Sequence, residues 1–330
     1  MKPSRPKVEA IRDPTLFRLE KARELAGMLR VDRPFAAPGI LLGTSAFTAA
    51  GWAGSFYPAG MKPTNFLSYY ATQFATVEVD STFYRTPSVS TVNGWYEKTP
   101  PDFVFAAKVP QVITHEKVLV DCEAEFDEFI GRMDLLDDKL GPLLLQFPYF
   151  NQSKFKSVGE FLPRLRFFLK RLQEMFTCRF AIEIRNKSWL DARFADMLRE
   201  YNVALALTDQ SWMPRPWEMK EKFDLITADF TYVRWLGDRK GIEEQTKTWD
   251  KVIVDRRAGT RRVGRGLPKL QSTQYRDIRL RQQPLCRPRT SHRTPLLEAL
   301  AEEIAWSRAL KLDLVGLHDG FRRSNLPQVL

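Results

Sequence analysis

Cysteine and histidine are scarce in this chain, with three of each among 330 residues. The cysteines, Cys122, Cys178 and Cys286, lie far apart and form no CxxC pair, which argues against a structural zinc site or a disulfide framework. No apolar run reaches the ~18 residues of a transmembrane helix, and the first residues lack the apolar core of a signal peptide. We therefore expect a cytoplasmic protein with no membrane partner.

Three motifs that are typical of a specific chemistry are also missing. The sequence contains neither GxGxxG nor GxxxxGK followed by Ser or Thr, the glycine-rich loops that hold phosphates in many open α/β sheets. It contains no GxSxG nucleophile elbow either. Nothing in the sequence indicates a cofactor, a metal or an oligomeric state.

The positive charge of the chain, +11 in total, is concentrated in one segment. Residues 256–330 contain 16 basic and 6 acidic side chains, whereas the rest of the chain contains 35 and 34. A basic tail suits a nucleic-acid-associated binding protein, which is the alternative interpretation of this sequence. The balanced body disfavours it, so a small molecule is the partner we expect.

Beyond a predicted N-terminal helical extension, residues 1–38, short apolar runs alternate with amphipathic segments from Gly39 onward. The predicted strands are 40–43, 76–80, 103–108, 143–147, 180–184, 203–208 and 230–236. The predicted helices are 63–74, 88–98, 122–137, 154–174, 189–201 and 241–253. The strands are rich in Val, Ile, Leu and Phe with little alternation, as in parallel strands buried on both faces. Seven such units predict a TIM-like (β/α)8 barrel over residues 39–256, and a doubly wound sheet is the alternative.

Polar side chains stand at the carboxyl ends of these strands, where parallel α/β folds place their chemistry. They are Thr44, Ser45, Glu78, Asp80, Ser81, Tyr84, Lys108, His115, Gln146, Glu183, Arg185, Asp209, Tyr232 and Arg234. Period-two geometry puts Glu78 and Asp80 on one face, and likewise Glu183 and Arg185. Single charged residues at such positions are often internal salt bridges, but seven polar strand ends together predict a polar pocket.

This pocket suits general acid–base work or the binding of an anion. Glu183 and Glu78 could accept protons, while Arg185, Lys108 and Arg234 hold a carboxylate or phosphate. A metal site built from Glu78, Asp80, His115 and Glu183 has no supporting ligand spacing. Five aromatic residues flank the first two strand ends and could stack on a sugar or base, or pack the mouth. They are Trp52, Phe56, Tyr57, Phe83 and Tyr84.

Six motifs in order resemble the domain-of-unknown-function-72, or YecE-like, family over about residues 40–256. They are GTSAFTAAGWAGSFYP (43–58), TVEVDSTFYRTP (76–87), FAAKVPQVITH (105–115), LGPLLLQFP (140–148), FAIEIRNKSW (180–189) and TADFTYVRWLG (227–237). Ala46-Phe47 and Trp235 depart from the residues common in the family. The resemblance implies a TIM-like barrel but no particular activity.

The polar residues that recur in the family give a set of candidate site residues. The catalytic candidates are Glu183, Glu78, His115 and Asp209, and the ligand-binding candidates are Thr44, Ser45, Ser81, Tyr84, Lys108, Gln146, Arg185 and Arg234. They predict a small-molecule enzyme or binding protein whose ligand carries an anionic group.

The C-terminal part departs from the family. Its members usually end with an eighth strand that reads like YAYVNNHYAGHAPAT, whereas residues 279–295 here contain five arginines and three prolines. One allowed coding of Arg279–His292, shifted by one base, translates as AYVNNHYAGHAPA. We infer a frame slip near Arg256–Arg257, which leaves residues 257–330 as a basic, atypical tail and the eighth strand missing or disrupted. Loss of that strand would inactivate a site that depends on it.

Overall fold

A computed structural model describes Arg33 and residues 40–249 of the chain. Six parallel strands form one sheet in the order β1-β2-β3-β4-β5-β6, so every strand pairs with its neighbours along the chain. The strands are β1 (Thr76–Val79), β2 (Val104–Lys108), β3 (Leu140–Gln146), β4 (Phe180–Glu183), β5 (Ala204–Gln210) and β6 (Tyr232–Gly237).

Helices connect the strands and cover the outer face of the sheet. They are α1 (Phe66–Gln73), α2 (Val89–Glu97), α3 (Glu123–Met133), α4 (Val158–Met175), α5 (Ala192–Glu200), α6 (Pro216–Met219) and α7 (Arg239–Gln245). Single turns of 3-10 helix lie at Pro63–Asn65, Asp80–Phe83, Asp134–Lys139 and Lys187–Trp189, and a π-helical turn lies at Val112–Glu116. None of the described helices is long and apolar enough to cross a membrane.

Side-chain caps fix where two of these helices begin. Ser88 accepts a hydrogen bond from the backbone N–H of Thr91 at the start of α2, and Asp191 accepts one from Phe194 at the start of α5. These oxygens satisfy backbone donors that have no partner within the helix.

Two apolar clusters pack on opposite faces of the sheet. The larger cluster packs the outer face against the helices, with Val77 and Phe105 fully buried. The smaller one, Leu144, Ala181, Ala204 and Ala206 with Phe230 and Tyr232 against it, lies on the opposite face. Small alanines suit the confined concave side of a curved sheet, where there is little room for side chains.

Curvature also brings the first and last strands together. Arg234 of β6 hydrogen-bonds Glu78 of β1, although four strands separate them in the sheet. The described part of the chain is therefore an α/β half-barrel of six parallel strands, and the six predicted strands from 76–80 to 230–236 are confirmed.

The predicted first strand, 40–43, is wrong, because no regular strand forms there. The segment runs beside β1 but joins it through Thr44, whose carbonyl accepts the backbone N–H of Glu78 at 2.9 Å. Gly43 explains the close approach, since a Cβ at this position would lie 2.0 Å from the Thr76 carbonyl oxygen.

Two further contacts tie the ends of the described chain to the barrel. Arg33 donates to both carboxylate oxygens of Asp102, at 2.5 and 2.8 Å, and to the carbonyl of Ala71 at 2.9 Å. The backbone N–H of Trp249 donates to Ala50, and the Trp52 indole donates to the Trp249 carbonyl. The rest of the predicted extension, the eighth strand and the tail 257–330 lie outside the described residues.

Candidate functional site

One layer of polar side chains lines the concave face near the carboxyl ends of the strands. Glu78, Lys108, Gln146, Glu183, Thr208 and Arg234 come from β1 to β6 in turn, and each is at most 9% exposed. Strand periodicity places them there, since on each strand they lie two or four residues beyond small or apolar inner residues such as Ala106, Leu144 and Ala206. This polar layer, which we call the floor, lies between the apolar interior and the carboxyl ends of the strands.

Arg234 is the centre of this floor. Its guanidinium donates to both carboxylate oxygens of Glu78, from Nη2 at 2.6 Å and from Nε at 3.0 Å. The third nitrogen, Nη1, donates to Glu183 Oε2 at 2.5 Å. Burial alone would lower the pKa of Arg234, but the two carboxylates outweigh it and raise the pKa above its ordinary value. Arg234 is thus paired with two buried carboxylates, and each buried carboxylate needs a partner of opposite charge.

Tyr232 completes the network from the same face of β6. Its hydroxyl donates to Glu78 Oε2 at 2.7 Å. Burial and the adjacent Glu78 carboxylate raise the pKa of Tyr232 well above its usual value, so the hydroxyl stays protonated and remains a donor. Tyr232 was not among the residues chosen as site candidates, although its spacing of two residues from Arg234 is the signal that identifies it.

Two other cations, Lys108 of the same layer and Arg185, each pair with a carboxylate. Arg185 donates from Nε to Glu183 Oε1 at 3.2 Å, and its side chain is 30% exposed. Lys108 lies 3.1 Å from Asp80 Oδ1, and its ammonium sits 4.3 Å from the centre of the Phe83 ring. Each cation faces one carboxylate, so the charges at the mouth are balanced in pairs.

His115 lies beside these cations, on the π-helical turn that follows β2. Its Nδ1 is 2.8 Å from Thr114 Oγ1, and its ring packs edge-on against Phe83. Burial, then the positive charges of Arg185 and Lys108, lower the pKa of His115 to about 4, against an opposing effect of Glu183. His115 is therefore a neutral imidazole near pH 7.

The structure thus brings six of the predicted site residues together: Glu78, Lys108, His115, Glu183, Arg185 and Arg234. Gln146 pairs in register with Glu183 and lies in the same layer. Asp209 instead forms an ion pair with Arg215.

The remaining candidates do not join this cluster. Thr44 is buried but binds the Tyr70 hydroxyl and the Ala46 carbonyl. Ser81 and Tyr84 are exposed and Ser45 is half-buried, and among the described residues none of the three contacts a charged member of the cluster.

The predicted aromatic mouth is only partly present. Trp52, Phe56 and Tyr57 are buried and pack on one another, so of the two alternatives, ligand stacking and packing, these three residues fit packing. The exposed rings near the strand ends are instead Tyr84, Tyr149 and Trp212. Each follows a strand end within a few residues, but no periodic pattern marks loop positions, so only Tyr84 was among the predicted residues.

Among the described residues, no group of three His, Cys, Asp or Glu side chains is placed to hold a metal ion. Glu78 and Glu183, two members of the metal set considered from the sequence, point their oxygens at Arg234 instead.

The chain is similar to known proteins over much of its length. It matches the family model described as "Protein of unknown function DUF72" over residues 41–274, which extends past the predicted barrel boundary at 256. The UPF0759 protein YecE of Escherichia coli K12 is 35% identical over 100 residues, 30% of this chain and 37% of that protein. The UPF0759 protein YunF of Bacillus subtilis is 30% identical over 156 residues, 46% of this chain and 53% of that protein.

The chain therefore spans between 37% and 53% of the length of these curated relatives. A crystal structure of a DUF72 family protein from Thermotoga maritima superposes with a TM-score of 0.51 at 26% identity, covering 69% of this chain and 88% of that one. On the strength of the family match, which covers more than half of its residues, the chain belongs to the DUF72 family.

Proposed function

We propose that this protein binds a small molecule through an anionic group at the carboxyl ends of its strands. The observation that supports this proposal is the geometry of Arg185. Its Nε donates to Glu183, and its side chain remains partly exposed. Among the described residues its two terminal nitrogens have no hydrogen-bond partner. A guanidinium fork of this kind matches a carboxylate or phosphate, and Lys108 supplies a second cation.

The same geometry favours binding over proton transfer. Both oxygens of Glu183 and both of Glu78 already accept hydrogen bonds from guanidinium groups or Tyr232. Neither carboxylate therefore has an oxygen free to take a proton from a ligand. His115, with its pKa lowered to about 4, is a weak base too. We assign Glu78 and Glu183 to holding the cations in place, and His115 to lining the pocket as a neutral imidazole.

The proposal includes a TIM-like (β/α)8 barrel over residues 39–256 whose eighth strand is missing or disrupted. Residues 43–44 lie along the outer edge of β1, and β6 curls around to meet β1 across the interior. An eighth strand would lie between β6 and this segment and would close the site from the side. We propose that this chain lacks that strand because of the frame slip, and that the protein acts in the cytoplasm without a nucleic-acid partner.

Calorimetric titration with inorganic phosphate and with acetate, at low ionic strength, tests the binding function. We expect both anions to bind the parent protein, and Arg185→Met to lose most of that affinity. Arg185→Lys should be nearly as damaging, because an ammonium cannot reproduce the planar fork. Arg193→Met is the matched control, since Arg193 is exposed and pairs with Asp191 on the outer side.

Two results would contradict the proposal. One is a parent protein that binds neither anion. The other is an Arg185→Met variant that binds both anions as well as the parent does.

A further inference from the structure

Two buried amide oxygens, near the carboxyl ends of their strands, have no partner in the part of the chain that the structure describes. The Oε1 atoms of Gln146 and Gln210 are shielded from solvent, and neither accepts a hydrogen bond within the described part of the chain. Gln146 is only 4% exposed. A buried acceptor left unpaired is costly, so these two oxygens indicate groups that a bound molecule satisfies.

Both glutamines lie at the carboxyl ends of their strands. Gln146 lies two residues beyond Leu144 on β3, so it shares the concave face with that inner apolar residue. Gln210 is the last residue of β5, beyond an irregularity in the pairing of β5 with β6. Gln146 is also the cross-strand neighbour of Glu183, which holds Arg185. The unpaired oxygen of Gln146 therefore lies beside Glu183, the partner of the cation that we propose binds an anion.

Exposed aromatic rings stand above the same edge. Tyr84 follows β1, Tyr149 follows β3 and Trp212 follows β5, and their exposed fractions are 74%, 67% and 49%. Because parallel strands end at one edge of a sheet, the three loops surround the mouth of the pocket. Of the exposed aromatic residues in the described chain, only Phe167 lies elsewhere, on α4.

We propose that the ligand is an anionic sugar, meaning a sugar acid or a sugar phosphate. This inference rests on the proposed anion-binding function and adds the rest of the molecule. The anionic group pairs with Arg185 and Lys108, and sugar hydroxyls donate to the amide oxygens of Gln146 and Gln210. The apolar C–H face of the sugar ring packs on an aromatic ring at the mouth.

A pair of carboxylates separates the sugar inference from the anion function. Glucuronate and cyclohexanecarboxylate carry the same anion on a six-membered ring, but only glucuronate has hydroxyls. We expect the parent protein to bind glucuronate more tightly in calorimetric titrations. Gln146→Met keeps the side-chain length but removes the acceptor, and it should weaken glucuronate about three- to tenfold while leaving cyclohexanecarboxylate unchanged. Gln73→Met, on the outer surface of α1, is the control.

The aromatic contact has its own matched pair. Trp212→Ala should weaken glucuronate binding, whereas Phe167→Ala, which removes an exposed ring from the outer helix α4, should not.

Each result decides between the two proposals. Equal affinity of the parent for both carboxylates, or a Gln146→Met variant that binds glucuronate like the parent, overturns the sugar inference and leaves anion binding intact. Binding of neither carboxylate overturns the anion function itself, and the sugar inference with it.

Discussion

Arg234 connects two buried carboxylates through its guanidinium group. It is 7% exposed and holds Glu78 and Glu183, which lie on strands separated by two others. Both carboxylates are buried, and a buried carboxylate needs a cationic partner, which this guanidinium supplies. The residue therefore links the fold to the site, because Glu183 also positions Arg185.

Replacing Arg234 with Met should destabilise the protein by about 3–5 kcal/mol, since it leaves the buried Glu78 carboxylate without a cation and Glu183 with Arg185 alone. Urea unfolding at pH 7 measures the loss. Arg166→Met is the control, because Arg166 forms a surface ion pair with Glu200 and its removal should barely change the unfolding midpoint. Equal effects of the two substitutions would show that the Arg234 network is not a structural requirement.

His115 gives the protein a defined sensitivity to acid. Its folded-state pKa is about 4, whereas an unperturbed histidine has a pKa of 6.5. The unfolded chain therefore takes up the proton first as the pH falls. The stability that neutral His115 contributes is fully present above pH 6.5 and is lost as the pH falls towards about 4.

His115→Asn should remove this part of the acid sensitivity. We expect the difference in unfolding free energy between pH 7 and pH 5 to be smaller in the variant than in the parent. The comparison subtracts the titration of the many surface carboxylates, which both proteins share. Identical pH dependence of the two proteins would be evidence against a buried neutral imidazole.

At the level of elements, the contact of residues 43–44 with β1 requires glycine at position 43, because glycine has no Cβ. A Cβ on Gly43 would lie 2.0 Å from the Thr76 carbonyl oxygen and 2.7 Å from its carbon, both backbone atoms that cannot move aside. Gly43→Ala should therefore push residues 43–44 off β1 and lower stability by about 1–3 kcal/mol. Thermal unfolding measures this change.

Gly94 provides the matched control for that substitution. It lies within α2, and a Cβ there would meet nothing within 4 Å. Gly94→Ala should raise stability by up to ~1 kcal/mol, because alanine is the better helix former. If Gly43→Ala proved as harmless as Gly94→Ala, close contact between this segment and β1 would be ruled out.

Strands were easier to predict from the sequence than the segments between them. Buried parallel strands are short continuous apolar runs, and six of the seven predicted runs form strands. The run 40–43 looks the same in composition, but one backbone hydrogen bond with β1 does not make a strand. Register and long-range pairing decide such a case, and neither can be read from four residues.

The strand pattern also predicted part of the site, namely which side chains face inward. Period two places Glu78, Glu183 and Arg234 on the inner face, so their convergence follows from the strand pattern. Which cation holds which carboxylate depends on sheet curvature, which brings β6 to β1 and has no local signal. The pairing of Asp209 with Arg215 and the exposure of Tyr149 likewise depend on loop paths.

For the whole molecule, we propose that residues 257–330 add nothing to the barrel. A chain shortened to residues 1–256 should then unfold at the same temperature as the full chain and bind phosphate equally well. A chain that carries the one-base-shifted translation after residue 256 should unfold at a higher temperature, because it restores the eighth strand. A lower unfolding temperature for the shortened chain, or a coding sequence with one uninterrupted frame, would contradict the frame slip.

The pairing of Arg234 with Glu78 also has a consequence for the order of events during synthesis. The two residues are 156 positions apart, and Trp52 is 197 positions from the Trp249 carbonyl it binds. A ribosome adding roughly 5–20 residues per second exposes Glu78 and Glu183 well before their counter-ion emerges. Until then, curling the sheet would bury Glu78 without a cation, although Glu183 already has Arg185 beside it. We therefore expect the nascent sheet to stay open, with its inner face hydrated, until Arg234 leaves the ribosome and pairs with Glu78.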